Sequence, residues 1–303
     1  MTGPHRLSPS RRAVFAGAFA CALAGRPAGA ATPATRIASL GGAVTEILWR
    51  LGAGPRVAIV DTTSVYPAEV LRERPNAGYL RALSAEGLLS VGPDLVLAAE
   101  GAGPPAVLAL LREAGVPVET IREPPTAEGV RDKIATIGRL AGLDAPAEAL
   151  SREVEARFAT LARQRARVAR PARALVVLSQ TGGRLMAGGR GSTADGILAL
   201  AGLVNAADGL EGFKPITDEA LVAAAPDAVV MMITEGRSPD PATVFAPGTA
   251  LAQTPAAARR ALVAMDGLAL LGFGPRTPEA AGALMRAVYP DLPPDPPPAP
   301  PRE

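Results

Sequence analysis

The chain has one histidine, His5, and one cysteine, Cys21, among its 303 residues, and both stand near its beginning. If that leading segment is removed, no imidazole and no thiol remain. Nucleophile–base pairs built on Cys or His, disulfides and ordinary zinc sites are then excluded together. Aromatic residues make up only 3% of the chain, too few for base-stacking surfaces. Formal net charge is only +2, with basic and acidic residues interspersed, so nucleic acid is not an expected partner. No Gly-Lys-Ser/Thr phosphate loop, clean Gly-x-Gly-x-x-Gly fingerprint or Gly-x-Ser-x-Gly elbow occurs. No two carboxylates stand out as an acid–base pair, no Asp-rich loop suggests a hard cation, and an enzyme is the less economical reading. Beyond the leading segment, no stretch approaches the roughly 18 uninterrupted apolar residues of a membrane span.

What is present begins with Ser10-Arg11-Arg12, an apolar stretch over 13–23, and the small residues Ala28-Gly29-Ala30. This order predicts an export signal over 1–30 and a periplasmic mature protein. The paired arginines resemble a twin-arginine signal, with Phe15 one place later than that pattern has it. Cys21 as a lipoprotein cysteine is an alternative that bulky Phe19 fits poorly.

About half of the residues are apolar, enough for buried cores. Residues 76–100, NAGYLRALSAEGLLSVGPDLVLAAE, organise the rest. The second half of this stretch returns, shifted, as ITDEALVAAAPDAVVMMITE at 216–235. Ser84 and Thr217 stand as helix caps, and Pro93-Asp94 and Pro226-Asp227 as turns into apolar strands. Strands at 36–40, 57–60 and 116–121 alternate with helices at 43–51, 105–114 and 127–141, which argues for a mostly parallel sheet. Residues 144–170 read as one long helix of about 24 residues, about 36 Å. Its apolar positions are Ala149, Val154, Phe158, Leu161 and Val168. The second half restarts with a strand at 174–179, a glycine-rich loop at 181–191 and a helix at 193–201. A loop at 205–214, a strand at 228–233, a strand at 265–271 and a closing segment at 278–288 follow. The expected fold is α/β: an N-terminal lobe at 31–143, a linking helix at 144–170, a C-terminal lobe at 171–290 and a loosely attached Pro-rich tail at 291–303.

With histidine and cysteine gone, Tyr79 is the most interesting donor. A phenol near pKa 10 is a poor ligand at neutral pH, but a ferric centre stabilises the phenolate, and a nearby arginine assists. Gly78 permits a sharp turn before Tyr79, and Arg81 stands two residues on. The competing reading is an interfacial aromatic with its hydroxyl at a rim. The glycine-rich segment at 182–196 can cradle an anion through backbone N–H groups, or simply make a tight strand–helix joint. Arg184 and Arg190 are candidate partners for ligand carboxylates or ordinary solvated arginines; Met186 lines an apolar pocket or fills core space.

These segments resemble periplasmic haem-binding proteins that serve ATP-driven haem importers, within the wider class of metal-chelate and cobalamin substrate-binding proteins. NAGYLRALSAE at 76–86 carries the likeness most specifically, with support from 37–51, 186–200 and 212–227; it runs through 36–289. The resemblance implies two Rossmann-like lobes joined by a single long helix with little hinge motion, a class III periplasmic binding protein. It implies a monomer that holds haem b, ferric, in the interlobe cleft. The haem would come from an outer-membrane receptor and pass to an inner-membrane ABC permease. Tyr79 falls on the axial tyrosine and Arg81 on the arginine that contacts it. Some members add a histidine after the strand ending at Leu178. Here Ser179-Gln180-Thr181 stands instead, which favours five-coordinate iron, or water or a weak donor as sixth ligand. Glu100 and Glu211 resemble the glutamates that dock on the permease, with Glu235 a rival to Glu211. Cobalamin or an Fe(III)-siderophore as cargo, and an enzyme acting on an anionic substrate at the glycine-rich loop, are the alternatives.

Overall fold

The computed structural model describes residues 2–3, 33–181, 184–233 and 236–293. Backbone contacts divide the chain into Met1–Thr32 and Pro33–Glu303, and the architecture below is that of the second unit. The expected export signal with Cys21, Glu235 and most of the Pro-rich tail lie outside the described residues.

The N-terminal lobe runs β1 (Ile37–Leu40), α1 (Gly42–Arg50), β2 (Val57–Val60), α2 (Val70–Glu73), β3 (Gly78–Tyr79), β4 (Ala82–Leu83), α3 (Ala85–Ser90), β5 (Leu95–Ala99), α4 (Pro105–Glu113), β6 (Val118–Ile121) and α5 (Ala127–Ala141). Its four-stranded sheet has the order β2-β1-β5-β6, every pair parallel, while β3 and β4 make a separate antiparallel hairpin. A single helix, α6 (Asp144–Arg165), leads on to β7 (Arg173–Thr181), β8 (Arg184–Gly188), α7 (Thr193–Leu200), β9 (Val204–Asn205), β10 (Phe213–Ile216), α8 (Asp218–Ala224) and β11 (Ala228–Ile233). The lobe ends with α9 (Pro241–Val244), α10 (Pro255–Arg259), β12 (Leu262–Asp266), α11 (Gly267–Leu271) and α12 (Thr277–Val288). Here the order is β10-β8-β7-β11-β12, with β9 beside the start of β7; β7, β11 and β12 are parallel, and β8 runs antiparallel between β7 and β10.

Strand periodicity decides which faces are covered. Leu95, Leu97 and Ala99 of β5 and Ala174 and Val176 of β7 point into one shared core with α1, α5, α6, α7 and α12. Val96 and Ala98 enter a second core under α3 and α4, and Leu175 and Val177 a third under α8 and α10. Along α6 the buried stripe is Ala147, Leu150, Val154, Phe158 and Leu161, the three-and-four spacing of one helix face. Ala149, expected in that stripe, is exposed, and its neighbours Ala147 and Leu150 are buried instead. Solvent-facing ion pairs tie the helix to both lobes: Arg50 with Glu153 (2.7 Å), Arg131 with Glu155 (3.0 Å), and Arg157 with Glu279.

The internal repeat is physical. Ser84 caps α3 by accepting from the Gly87 amide (3.1 Å), and Thr217 caps α8 by accepting from the Ala220 amide (3.2 Å). After each helix the Pro-Asp turn is bound to the start of the lobe's first strand, just before β1 in one lobe and at the first residue of β7 in the other. Asp94 accepts from the Thr35 and Arg36 amides (2.7 and 3.0 Å), and Asp227 from the Arg173 amide (3.0 Å). Arg36 and Arg173 each turn a guanidinium back onto the helix end, donating through Nε to the Val91 carbonyl (2.9 Å) and the Ala224 carbonyl (3.0 Å).

Three expectations differ from the structure. Residues 265–271 are not one strand: Asp266 ends β12, and its carboxylate accepts from the Ala269 amide (2.8 Å), so the apolar run Gly-Leu-Ala-Leu-Leu begins a helix. The expected loops at 181–191 and 205–214 hold β8 and the start of β10, whose flanking glycines and Pro215 disguise them; a proline is tolerated because β10 is an edge strand. α6 ends at Arg165, and tighter turns carry the chain through Val168 towards the Arg170-Pro171 step, where helix is disfavoured.

Burial raises the Asp94 pKa, but the amides of Thr35 and Arg36 and the Thr35 hydroxyl outweigh it and hold the carboxyl below its ordinary value. A depressed folded pKa stabilises the protein above the unfolded value, about 3.9, and that contribution disappears as pH falls through the folded value. Asp94→Asn is therefore expected to lower the melting temperature at pH 7 and to converge on wild type in acid. Thermal melts at pH 7, 5 and 3 check this; a gap that persists unchanged at pH 3 contradicts it.

Candidate functional site

Tyr79 stands on a hairpin stitched to the carboxyl edge of the N-terminal sheet. On one side the Gly78 carbonyl accepts from the Thr62 amide (3.0 Å) and the Ala77 amide donates to the Val60 carbonyl (2.8 Å), both at the end of β2. On the other side Gly103, beyond β5, donates to the Leu80 carbonyl (2.9 Å) and accepts from the Leu83 amide (2.9 Å). Gly78 has φ +95°, a conformation that L side chains rarely adopt, and its amide donates to Asn76 Oδ1 (2.8 Å). The turn leaves Tyr79 53% exposed. Among the described residues, neither its hydroxyl nor the exposed Arg81 guanidinium has a hydrogen-bond or ion-pair partner, so the two are not joined to each other. Both are free for a ligand.

Below the hairpin lies Asp61, wholly buried just past β2. Its carboxylate accepts from the Gly41 amide (2.7 Å), the Thr63 amide and hydroxyl (2.9 and 2.6 Å) and the Ser64 hydroxyl (3.0 Å). From Ser64 the buried chain of hydroxyls continues through Thr45 to Ser39, each step 2.7 Å. Thr63 Oγ1 also accepts from the Gly42 amide (3.0 Å). The loops after β1 and β2 are thereby one unit.

The edge is apolar as well as exposed. Val65, Tyr66, Tyr79 and, at the end of β11, Ile233 are large hydrophobic side chains left open to solvent. The two lobes meet beside them. A Cβ on Gly42 would come within 2.6 Å of Leu268 at the start of α11, and one on Gly196 within 2.8 Å of Phe273 and of Pro125. Segments beyond the carboxyl ends of β1, β6 and β12 thus touch across the interlobe boundary, where open α/β sheets bind ligands.

The C-terminal candidates separate. Arg184 opens β8 opposite Thr181, at the carboxyl end of β7; it is exposed and, among the described residues, unpaired. Met186 follows on the same face, half-buried. Arg190 lies past the far end of β8, about 20 Å along the chain direction from Arg184. There its backbone forms an isolated β-bridge with that of Glu211, so both stand at the amino end of β7. Glu100 follows the carboxyl end of β5, and its Oε2 accepts from the Glu123 amide (3.2 Å).

Of the two readings of the glycine-rich segment, the structure takes the tight joint. The Gly189 amide donates to the Gly212 carbonyl (2.8 Å), that of Arg190 to the Leu210 carbonyl (2.9 Å), and that of Gly191 to Asp195 Oδ2 (3.0 Å). Ser192 caps α7 by accepting from the Asp195 amide (3.3 Å), and Asn205 bonds both the Gly188 carbonyl and Asp195. With these donors engaged and a carboxylate already seated at the helix start, no anion cradle remains there.

Sequence reasoning missed a charged cluster at the lobe boundary. Arg276 donates to Glu46 Oε2 (3.1 Å), and its guanidinium carbon lies 3.6 Å from the Tyr66 ring centroid. Glu46 is 2% exposed; burial raises its pKa above the ordinary value, and Arg276, with Arg50, offsets part of that. A lone glutamate inside the apolar run Val-Thr-Glu-Ile-Leu-Trp was the available signal. Among the described residues no cluster of His, Cys, Asp and Glu suits a metal ion, and no helix is long and apolar enough to cross a membrane.

Because Asp61 is buried under so many donors, Asp61→Ala is expected to cost about 2–4 kcal/mol of unfolding free energy, through unsatisfied amides and hydroxyls. Urea denaturation checks it; a loss below about 0.5 kcal/mol would mean that the loops are held otherwise.

Residues 37–268 match the model of the periplasmic binding protein family. The apo periplasmic heme-binding protein RhuT from Roseiflexus sp. RS-1 superposes with a TM-score of 0.80 at 37% identity, covering 85% of this chain and 99% of that one. The periplasmic heme-binding protein BhuT, solved with two hemes, superposes at 0.79 with 38% identity and the same coverage. An uncharacterized ABC transporter substrate-binding lipoprotein of Bacillus subtilis, YvrC, is 26% identical over 259 residues, 84% of this chain and 80% of its own length. With the family model spanning both sheets and the helix between them, the chain belongs to the periplasmic binding protein family.

Proposed function

We propose that this protein binds haem between its lobes and hands it to an inner-membrane ABC permease, catalysing no reaction. The observation that carries this reading is the unpartnered Tyr79 hydroxyl, aimed outward from a stitched hairpin amid apolar side chains at the lobe boundary. A ferric haem brings the metal charge that makes a phenolate favourable at neutral pH, and Arg81 stands two residues away to pair with that oxygen. The macrocycle is large and flat, so enclosing it against Val65, Tyr66 and Ile233 buries much apolar area despite the few aromatics. Arg184, exposed and unpaired among the described residues, is the proposed partner of a propionate carboxylate, and Met186 is proposed to line the pocket. Arg190, at the opposite edge of the sheet, is a weaker candidate.

The lobes are taken as 31–143 and 171–290, linked by 144–170, after an export signal over 1–30 of twin-arginine type that directs the chain to the periplasm. Ferric haem b, delivered through an outer-membrane receptor, is the form proposed, and the protein is proposed to act as a monomer. Glu100 is the proposed N-lobe contact to the permease. Glu211 and Glu235 remain rivals on the C-lobe, Glu211 lying at the edge away from Tyr79.

Titration of the purified mature protein with ferric haem tests this. The expected result is a high-spin tyrosinate-type visible spectrum that Tyr79→Phe abolishes, with affinity falling about 100-fold, or about 2.7 kcal/mol. Tyr66→Phe is expected to leave the spectrum intact. Equal spectra and affinity in Tyr79→Phe would remove the proposed ligand. Tight binding of cobalamin without haem binding would replace the cargo while keeping the architecture.

A further inference from the structure

We infer that Arg276, from the C-terminal lobe, is a positioning residue for the N-terminal wall of the cargo cleft: through Glu46 and Tyr66 it sets the spacing of the two lobes. This rests on the cleft being the cargo site. The loop after β2 is anchored at its root by Asp61, but its outer part, with Val65 and Tyr66, stands exposed at the cleft edge. The group stacked on the Tyr66 ring is the Arg276 guanidinium of the other lobe, 3.6 Å away.

That guanidinium is itself fixed. Glu46, buried on α1, pairs with it at 3.1 Å, and a Cβ on Gly274 would lie 3.2 Å from the same carboxylate oxygen, a tight contact that the glycine relieves. The connection between α11 and α12, residues 272–276, is gripped again from the far side. Lys133 of α5, its side chain wholly buried, pairs with Glu123 (2.6 Å) and donates to the Gly272 carbonyl (3.3 Å). Between these two points Phe273 is 1% exposed with φ +49°. One short C-lobe connection is therefore held by two N-lobe helices, through an ion pair to Glu46 of α1 and a hydrogen bond from Lys133 of α5.

The energetics favour a geometric role. Buried ion pairs are often no more stabilising than apolar residues of similar volume. This one is incompletely satisfied, since Glu46 Oε1, Arg276 Nε and the adjacent Thr277 Oγ1 are buried without a hydrogen-bond partner. What an apolar replacement cannot supply is a planar cation that faces the tyrosine ring and the carboxylate at once.

The test uses the double variant Glu46→Met/Arg276→Met, which removes both charges and strands neither. Nitroxide labels at Glu113→Cys and Ala223→Cys, one exposed position on each lobe, report the interlobe distance by electron–electron resonance in the mature chain. The wild-type distribution is expected to be narrow with and without ferric haem. In the double variant, with its circular dichroism retained, the distribution broadens and ferric haem dissociates about tenfold faster. Arg276→Lys keeps a cation against Glu46, which protects the fold, but loses the planar stack, so it too is expected to speed haem loss. A distribution as narrow as wild type in the double variant overturns the inference, as does an unchanged dissociation rate in both variants. The distance measurement needs no haem, so wild-type protein that fails to bind haem would defeat the cargo assignment and leave the lobe-spacing result to be read by itself.

Discussion

Everything the N-terminal lobe presents to the cleft depends on one buried carboxylate. Asp61 gathers two backbone amides and two hydroxyls at the end of β2, binding the β1–α1 turn to the loop after β2. A carboxylate so placed is stable only because its oxygens are satisfied; the same group without partners would be costly to bury. At the very next residue, the Thr62–Gly78 bond transmits that fixed position to the hairpin with Tyr79. The phenol is exposed, but its backbone is anchored from both β2 and β5. A ligand therefore meets a donor whose position has already been set, and little ordering entropy remains to be lost at that end of the site.

A mature chain without imidazole, as the proposed export signal implies, would shape the proposed chemistry more than any residue that is present. A histidine donor is neutral when it coordinates, whereas a tyrosinate brings a full negative charge to the metal. In a partly buried cleft that charge would need a counterpart, and ferric iron would supply most of it. Arg81, unpaired among the described residues, would supply more. The same economy accounts for carrying few aromatics: a cargo with a large flat apolar surface needs aliphatic walls more than ring stacking, and Val65 and Ile233 are such walls.

Much of this was legible in the chain itself. The repeated Ser/Thr cap, short helix and Pro-Asp turn announced two related lobes because each residue type has a local reason to be there, and Ser84, Thr217, Asp94 and Asp227 make the bonds expected of caps and turns. Tyr79 was visible because elimination left few donors. Long-range pairing was not visible. β8 and β10 form because they find each other and β7 across glycines and a proline, and no local pattern encodes an antiparallel partner. The reach of Arg184 and the misplacement of Arg190 follow from that strand: a segment read as loop brings both arginines to one place, whereas a strand carries them to opposite edges. Glu46 and Arg276 are 230 residues apart, and only the packed lobes bring them together.

The joint between the lobes argues for a cleft formed before its cargo arrives. Hinged binding proteins close because few contacts resist the motion, so that ligand contacts can drive it. Here α6 packs along both lobes, Gly42 and Gly196 admit close approaches that a methyl group would block, and the buried side chains of Glu46 and Lys133 both bond the five-residue connection before α12. Opening such a joint would expose Phe273 and separate the buried Glu46 carboxylate from Arg276, a cost of about several kcal/mol that no ligand contact repays unless it differs between open and closed states. The binding energy of a rigid cargo is then available for affinity instead of closure.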